Sequence, residues 1–424
     1  MPHDRPVTRA WVLHPDFKGE DNRHAPEYAL EEAVSLARAL PALEVLGQDI
    51  VRIAKAVPRT LFGSGKVEEL GTVLKAAEVE LVLIDGPVTP KQQQNLEKAW
   101  GVKLLDRTGL ILEIFSDRAR TREGVLQVEM AALAYQRTRL VRAWTHLERQ
   151  RGGLGFVGGP GETQIEADRR AIDEQLVRLR RQLEKVVKTR ELHRAARAKV
   201  PFPIVALVGY TNAGKSTLFN RLTGAEVLAK DMLFATLDPT MRRVRLSDQG
   251  PEVILSDTVG FISDLPTQLV AAFRATLEEV LEADLVLHVR DISHPESAQQ
   301  AQDVEDILAE LGLPEGVPVL DVWNKIDRLD AETRDGMVTR GDREDVIYPI
   351  SAVTGQGLEP LLKAIETGLE TGHVTEVLTV PFDAGRARAW LFEQGVVVSE
   401  EQGDDAARIT VRWTPAQAAR FRSF

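Results

Sequence analysis

The residues best equipped for chemistry lie near the middle of the chain, in Gly209-Tyr210-Thr211-Asn212-Ala213-Gly214-Lys215-Ser216-Thr217. Two glycines in this spacing, followed by Lys-Ser, suit the holding of a polyphosphate. Gly209 and Gly214 let the backbone wrap close to the ligand, with loop N–H groups converging on the anion. Lys215 reaches the β- and γ-phosphates, and the Ser216 hydroxyl is placed to ligate Mg²⁺. The apolar run Ile204-Val205-Ala206-Leu207-Val208 before the loop reads as a buried strand, and Leu218-Phe219-Asn220-Arg221-Leu222 after it as a helix. Strand, loop and helix in that order are the context such a loop needs.

Four further signals follow, three of them at the ends of expected strands. Asp257-Thr258-Val259-Gly260 comes after Val253 to Ser256. A carboxylate there can hold Mg²⁺ through water, and the Gly260 N–H can meet a γ-phosphate. Asn324-Lys325-Ile326-Asp327 comes after a strand ending at Trp323. The Asp327 carboxylate can accept from guanine N1–H and the 2-amino group together. Adenine offers neither donor, so it would leave a buried carboxylate unpaired, and sites of that kind discriminate strongly. Ser351-Ala352 follows Ile350, where the Ala352 N–H can donate to guanine O6. Phe234-Ala235-Thr236-Leu237-Asp238-Pro239-Thr240 lies between the first helix and the next strand. A Thr there can swing in to ligate Mg²⁺; Thr236 is the choice and Thr240 the alternative. Gly209 to Thr217, Asp257, Asn324, Lys325, Asp327, Ser351 and Ala352 are thus the expected nucleotide set. Ser216, Thr236 and Asp257 form the metal set, and Lys215, Thr236 and Gly260 the catalytic one.

Catalysis departs from the Ras-like pattern. There a Gln follows the D-x-x-G glycine and orients the attacking water. Here Phe261-Ile262 stand in its place, and neither can hydrogen-bond a water. Intrinsic hydrolysis is expected to be slow, with the missing polarising group supplied by the nucleotide's own phosphate, by backbone groups or by a partner.

The elements around these motifs suggest an α/β chain in four parts: 1–115, 116–199, 200–372 and 373–424. In the first, Arg9 to Leu13, Glu44-Val45, Leu81 to Asp85 and Val102 to Asp106 read as strands, alternating with helices at Glu27 to Leu40, Gly65 to Ala77 and Thr89 to Ala99. That alternation implies a parallel sheet. Gly63-Ser64-Gly65-Lys66 resembles a truncated phosphate loop, but Pro58 to Phe62 is a poor buried strand and Glu68-Glu69 would face the phosphates. A glycine-rich helix start is the preferred reading, with a second nucleotide site the alternative. Residues 200–372 read as a doubly wound sheet with ligand loops at the carboxyl ends of its strands. The tail reads as a small βαββ unit.

The second part reads as a helical hairpin, with helices from Val125 to about Arg149 and Glu162 to about Ala198, joined by the glycine-rich tip Arg151 to Gly161. From Arg118 to Lys199, 19 Lys and Arg stand against 10 Asp and Glu, on a chain whose net charge is −11. A basic segment on an acidic protein suits a local contact with an anionic partner, although charges paired along solvated helices would look the same. Phe156 among glycines and arginines suits RNA, by stacking and phosphate contact. Arg137, Arg142, Arg151, Phe156 and Arg169 are the expected RNA contacts.

Composition narrows the classes. Cys is absent, so disulfides and thiolate metal sites are excluded. No uninterrupted apolar run approaches the roughly 20 residues of a membrane span, and the first residues lack the regions of a signal peptide. A cytoplasmic protein, expected to be monomeric, is the resulting picture.

The nucleotide motifs, the Phe234 to Thr240 loop, Gly65-Lys66-Val67-Glu68-Glu69-Leu70 and above all Gly161-Glu162-Thr163-Gln164-Ile165-Glu166-Ala167-Asp168-Arg169-Arg170 resemble the HflX family of bacterial GTPases. The likeness spans roughly residues 10–372. It implies GTP and GDP as ligands, binding to the large ribosomal subunit through the N-terminal region, stimulation of hydrolysis by the ribosome, and splitting of stalled ribosomes under stress. A hydrophobic residue in place of the Gln is similar to that family too. A nucleotide-gated RNA-binding adaptor with incidental turnover is the main alternative. A remodelling enzyme with its own ATP site at Gly63 to Lys66 is another.

Overall fold

A computed structural model describes residues 7–19, 23–150, 160–197, 202–224, 233–234, 240–247, 250–263, 280–314, 316–371, 374–403 and 406–422. For residues 140–150, 160–165, 189–197, 415–416 and 419–420 it describes the backbone alone. The chain divides into two compact units. One is built on the described residues up to Val186 together with Leu233 and Phe234, and the other on the rest.

The first unit holds a four-stranded sheet of β1 (Thr8–Phe17), β2 (Leu43–Ile53), β3 (Leu81–Ile84) and β4 (Lys103–Asp106), in the order β2-β1-β3-β4. Every pairing is parallel, as the alternation of elements implied. Helices α1 (Pro26–Arg38), α2 (Ser64–Ala76) and α3 (Pro90–Trp100) connect the strands. Sequence chemistry sets their ends. Thr89 and Gln92 form a capping box before α3, Pro90 takes its first turn, and Gly101 closes it at φ +71°. Leu13, Val82, Ile84, Leu70, Leu74 and Leu96 fill the core. Each such buried side chain contributes about 1.5–3 kcal/mol.

Two features differ from the sequence reading. Strand β2 is 11 residues long, where two were expected, because it is a half-exposed edge strand whose polar residues mask the apolar signal. Helix α4 (Arg107–Arg118) was not anticipated at all. Gly109, Leu110, Ile111, Leu112, Ile114 and Phe115 are all buried in it, so no polar face gives it a helical period. Asp106 caps it by accepting from the Gly109 N–H at 2.9 Å. Helices α5 (Arg122–Gln150) and α6 (Pro160–Arg197) then form the two long arms that the sequence indicated.

The second unit carries a six-stranded sheet in the order β10-β9-β8-β5-β7-β6. Its strands are β5 (Ile204–Val208), β6 (Thr240–Arg245), β7 (Glu252–Asp257), β8 (Leu285–Asp291), β9 (Val319–Asn324) and β10 (Ile347–Pro349). All pairs are parallel except β6 with β7, the expected hairpin. Helices α7 (Lys215–Thr223), α8 (Ser297–Leu311), α9 (Ala331–Gly341) and α10 (Leu358–Thr371) belong to this sheet. Val205, Leu207, Leu285, Leu287, Val289 and Val322 form its core with Phe219 and Ile365. Strands buried on both faces read as near-continuous apolar runs, which is why they were legible.

The tail packs in the same unit. Strands β11 (Val374–Pro381), β12 (Val397–Gln402) and β13 (Ala406–Trp413) make an antiparallel sheet in the order β11-β13-β12, with α11 (Gly385–Glu393) after β11. Ala407, Ile409, Val411 and Trp413 alternate inward. A closing helix, α12 (Pro415–Arg422), was not foreseen. Before it, the Thr414 hydroxyl donates to Asp284 Oδ1 at 2.7 Å, while Asp284 Oδ2 accepts from the Ile204 N–H at 2.8 Å. One carboxylate thus ties the end of the tail to the start of β5. Among the described residues no helix is long and apolar enough to cross a membrane.

Candidate nucleotide site

The carboxyl ends of β5, β7, β8 and β9 lie together, and the expected motifs sit on the loops that leave them. The phosphate loop closes at Gly214, the residue before α7, which holds φ +96°. A Cβ at Gly214 would lie 2.2 Å from Asn324 Nδ2, so only glycine lets the two loops meet. The Asn324 amide joins three motifs: its Nδ2 donates to the Ala213 carbonyl at 2.8 Å, and its Oδ1 accepts from the Ala352 N–H at 3.0 Å. That places phosphate loop, N-K-x-D turn and Ser351 loop in one cradle.

Lys215 is buried, and its ammonium donates to the carbonyls of Gly209 at 3.0 Å and Tyr210 at 2.8 Å. Burial pushes its pKa down to about 8; Asp257 opposes that shift and Lys325 adds to it. The Ser216 hydroxyl donates to Asp257 Oδ2 at 2.7 Å. A hydroxyl and a carboxylate side by side are hard oxygen donors of the kind Mg²⁺ takes, so the expected metal pair fits the ion. The Thr211 hydroxyl is buried without a hydrogen-bond partner among the described residues. In a phosphate loop, such a donor is one that a ligand can satisfy.

On the base side, Lys325 is at φ +69°, and its ammonium pairs with Asp291 Oδ2 at 2.7 Å. Asp327 is exposed on the turn Ile326–Arg328. Ser351 is fully buried, with its hydroxyl accepting from the Thr354 N–H at 3.0 Å. Arg221, on α7, donates to the Val353 and Thr354 carbonyls and so steadies that loop. Sequence reasoning missed both Arg221 and Asp291. Asp291 follows directly on the apolar run of β8, at the same carboxyl edge as Asp257 and Asn324, and that position was a usable signal. Arg221 gave none beyond its place on α7.

Thr236 lies outside the described residues, and its alternative, Thr240, opens β6 opposite Asp257. Of the RNA candidates, Arg151 and Phe156 lie outside the described residues, as does the Arg142 side chain. Arg169 is exposed. Arg137 Nε is 2.8 Å from Asp173 Oδ1, an ion pair joining α5 to α6. At Gly63 to Lys66, Gly63 is the N-cap of α2, and Lys66 pairs with Glu69 at 2.7 Å, so the segment is a helix start.

Four family models match the chain. They are described as GTP-binding GTPase N-terminal over residues 27–116, GTP-binding GTPase Middle Region over 118–197, 50S ribosome-binding GTPase over 204–325, and HflX C-terminal domain over 336–422. The last covers the tail, which lies beyond the span of the family likeness read from the sequence motifs. A GTPase HflX of Magnetococcus marinus is 50% identical over 94% of this chain and 91% of its own. That of Escherichia coli is 46% identical over 82% of this chain and 81% of its own. That of Chlamydia pneumoniae is 39% identical over 96% and 86%.

Proposed function

This chain belongs to the HflX family of GTPases, and from that premise we propose that it is a cytoplasmic, monomeric factor that binds the large ribosomal subunit and splits or rescues stalled ribosomes. The observation that carries the nucleotide half of this reading is the Asn324 amide, which couples the phosphate loop to both base-side loops. The Lys215 ammonium, its pKa lowered by burial to about 8, gains an anionic partner once a polyphosphate replaces the carbonyls it now contacts. Loop N–H groups and the Thr211 hydroxyl receive the phosphate oxygens. Asp327 accepts from the guanine N1–H and 2-amino group, which sets base choice. Ser216 and Asp257, with Thr236 joining them, would hold Mg²⁺, which would supply charge neutralisation to the phosphates.

The side chain after Gly260 is Phe261, buried and without a hydrogen-bonding group. It orients no water, so turnover waits on a group supplied from outside the site, and the description of residues 204–325 as a ribosome-binding GTPase supports the ribosome as its source. The basic arms carry the RNA contact, with Arg142, Arg151, Phe156 and Arg169 facing ribosomal RNA. Phe261 also favours the second reading, an adaptor that senses GTP and hydrolyses it only incidentally.

One experiment separates the two. GTP turnover is measured with and without purified large subunits, for the whole chain and for a variant lacking Arg151 to Gly161, with sedimentation of intact ribosomes under a non-hydrolysable GTP analogue. The proposal expects stimulation and splitting by the whole chain, and loss of both, with GTP binding kept, in the variant. Stimulation that survives the deletion removes the tip from the mechanism, and turnover indifferent to ribosomes favours the adaptor.

A further inference from the structure

The phosphate loop has a second partner within the protein. Three hydrogen bonds join residues 209–211 to residues 261–263. The Phe261 N–H donates to the Gly209 carbonyl at 3.1 Å, and the Thr211 N–H donates to the Phe261 carbonyl at 2.6 Å. These two make a parallel bridge between Tyr210 and Phe261. In the third, the Ser263 N–H donates to the Tyr210 hydroxyl at 2.7 Å. The first two are main-chain bonds that any side chains allow. The third exists because residue 210 is a tyrosine.

The same clasp presses Gly260 onto the loop. A Cβ there would lie 2.8 Å from the Thr211 Cα and 3.0 Å from Lys215 Nζ. Phe261 and Ile262 are buried with it. The Thr211 N–H, a loop donor, and the Lys215 ammonium are both engaged by protein groups in this arrangement. A third phosphate needs the space in front of Gly260, whereas a diphosphate does not; Lys215, which reaches the β- and γ-phosphates, serves either ligand.

From this the geometry points to Tyr210 as a positioning residue that sets the preference between GDP and GTP: its hydroxyl holds the 260–263 segment on the phosphate loop, and a γ-phosphate binds at the expense of that bond. The inference rests on the guanine-nucleotide reading of the site. Its physical basis is competition. A ligand shifts an equilibrium only by its differential affinity for the two states, and each bond that stabilises the clasped state weakens GTP relative to GDP.

Tyr210→Phe keeps the ring and removes the hydroxyl. Binding of GDP and of a non-hydrolysable GTP analogue is measured for both proteins, with hydrogen exchange of the Ser263 amide in the nucleotide-free protein and with each ligand. The variant is expected to favour the analogue over GDP by about five-fold more than the unaltered protein does, the worth of one neutral hydrogen bond. Its Ser263 amide exchanges faster without nucleotide, and in the unaltered protein the analogue, but not GDP, speeds that exchange. A ratio that stays put, affinities that move together as a general loosening would move them, or an amide indifferent to the hydroxyl each overturn the inference. If neither nucleotide binds the unaltered protein, the guanine-site reading fails instead, and amide exchange in the free protein still decides whether Tyr210 holds the segment.

Discussion

Two sheets in this chain, one all parallel and one parallel but for its β6–β7 pair, end in carboxyl edges crowded with charged groups, and the charges are disposed in different ways. At the edge of the first sheet, Arg107 donates to Asp85 at 2.6 Å and to Glu32, while His14 Nδ1 lies 2.8 Å from Asp85 Oδ2. Beside it, Asp106 accepts from Tyr135 at 2.5 Å and from Arg139 at 2.9 Å, and Arg139 also reaches Gln93. Burial alone would raise the Asp85 pKa, yet Arg107 and His14 hold it below the usual carboxylate range. These groups neutralise one another, and the strand ends are bolted to α1, α4 and α5. At the edge of the second sheet, Lys325 pairs with Asp291 and Ser216 with Asp257, but among the described residues the Thr211 hydroxyl has no hydrogen-bond partner and the buried Lys215 ammonium donates to two backbone carbonyls. The first edge pairs its charges within itself, while the second holds a phosphate loop whose donors a ligand can take, and that difference suits a scaffold in one unit and chemistry in the other.

Variants on the two edges test this contrast. The largest effect is expected at Arg107, which is 8% exposed. Arg107→Ala takes the guanidinium away from Asp85, which keeps His14, and from the partly buried Glu32, a loss of about 3–5 kcal/mol. Urea unfolding should register it in the first unit, while nucleotide affinity stays the same. A fall in GTP affinity instead would mean that the first edge also takes part in binding. Next comes Asp327→Asn. It should weaken GTP by about 100-fold and admit xanthine nucleotide, and a competition assay that finds guanine selectivity intact removes Asp327 from base recognition. The smallest effect is expected at Lys66. Lys66→Ala breaks an exposed pair with Glu69, worth up to about 1 kcal/mol, and should leave nucleotide binding unchanged. A lost ATP signal would turn that helix start into a second site.

The second edge was far more legible in the sequence than the first. Its strands are buried on both faces and read as apolar runs, and its motifs use residue types that chemistry restricts to fixed spacings. The first edge uses Arg, Asp, Glu, His and Tyr scattered from His14 to Arg139, with no spacing to link them. Arg139, one of the basic residues between Arg118 and Lys199, turns to Asp106, 2.9 Å away. Helix α4 escaped because its buried surface runs almost all round, and α12 because Ala and Arg dominate it. The tail's plait was legible from its alternation, although its likeness to the family was not.

Local periodicity and motif order therefore carried the fold class and the family. They depend on neighbours along the chain, and short-range chemistry writes them directly into residue types. The pairing of Asn324 with Ala213, 111 residues away, could not be read in this way. Nor could the Lys325–Asp291 pair, the Arg107 cluster or the clasp of Tyr210 on Ser263. Those contacts exist because crossovers of the sheet bring distant strand ends to one edge. Burial there then sets the energy of every hydrogen bond and charge, and no linear pattern encodes that distance.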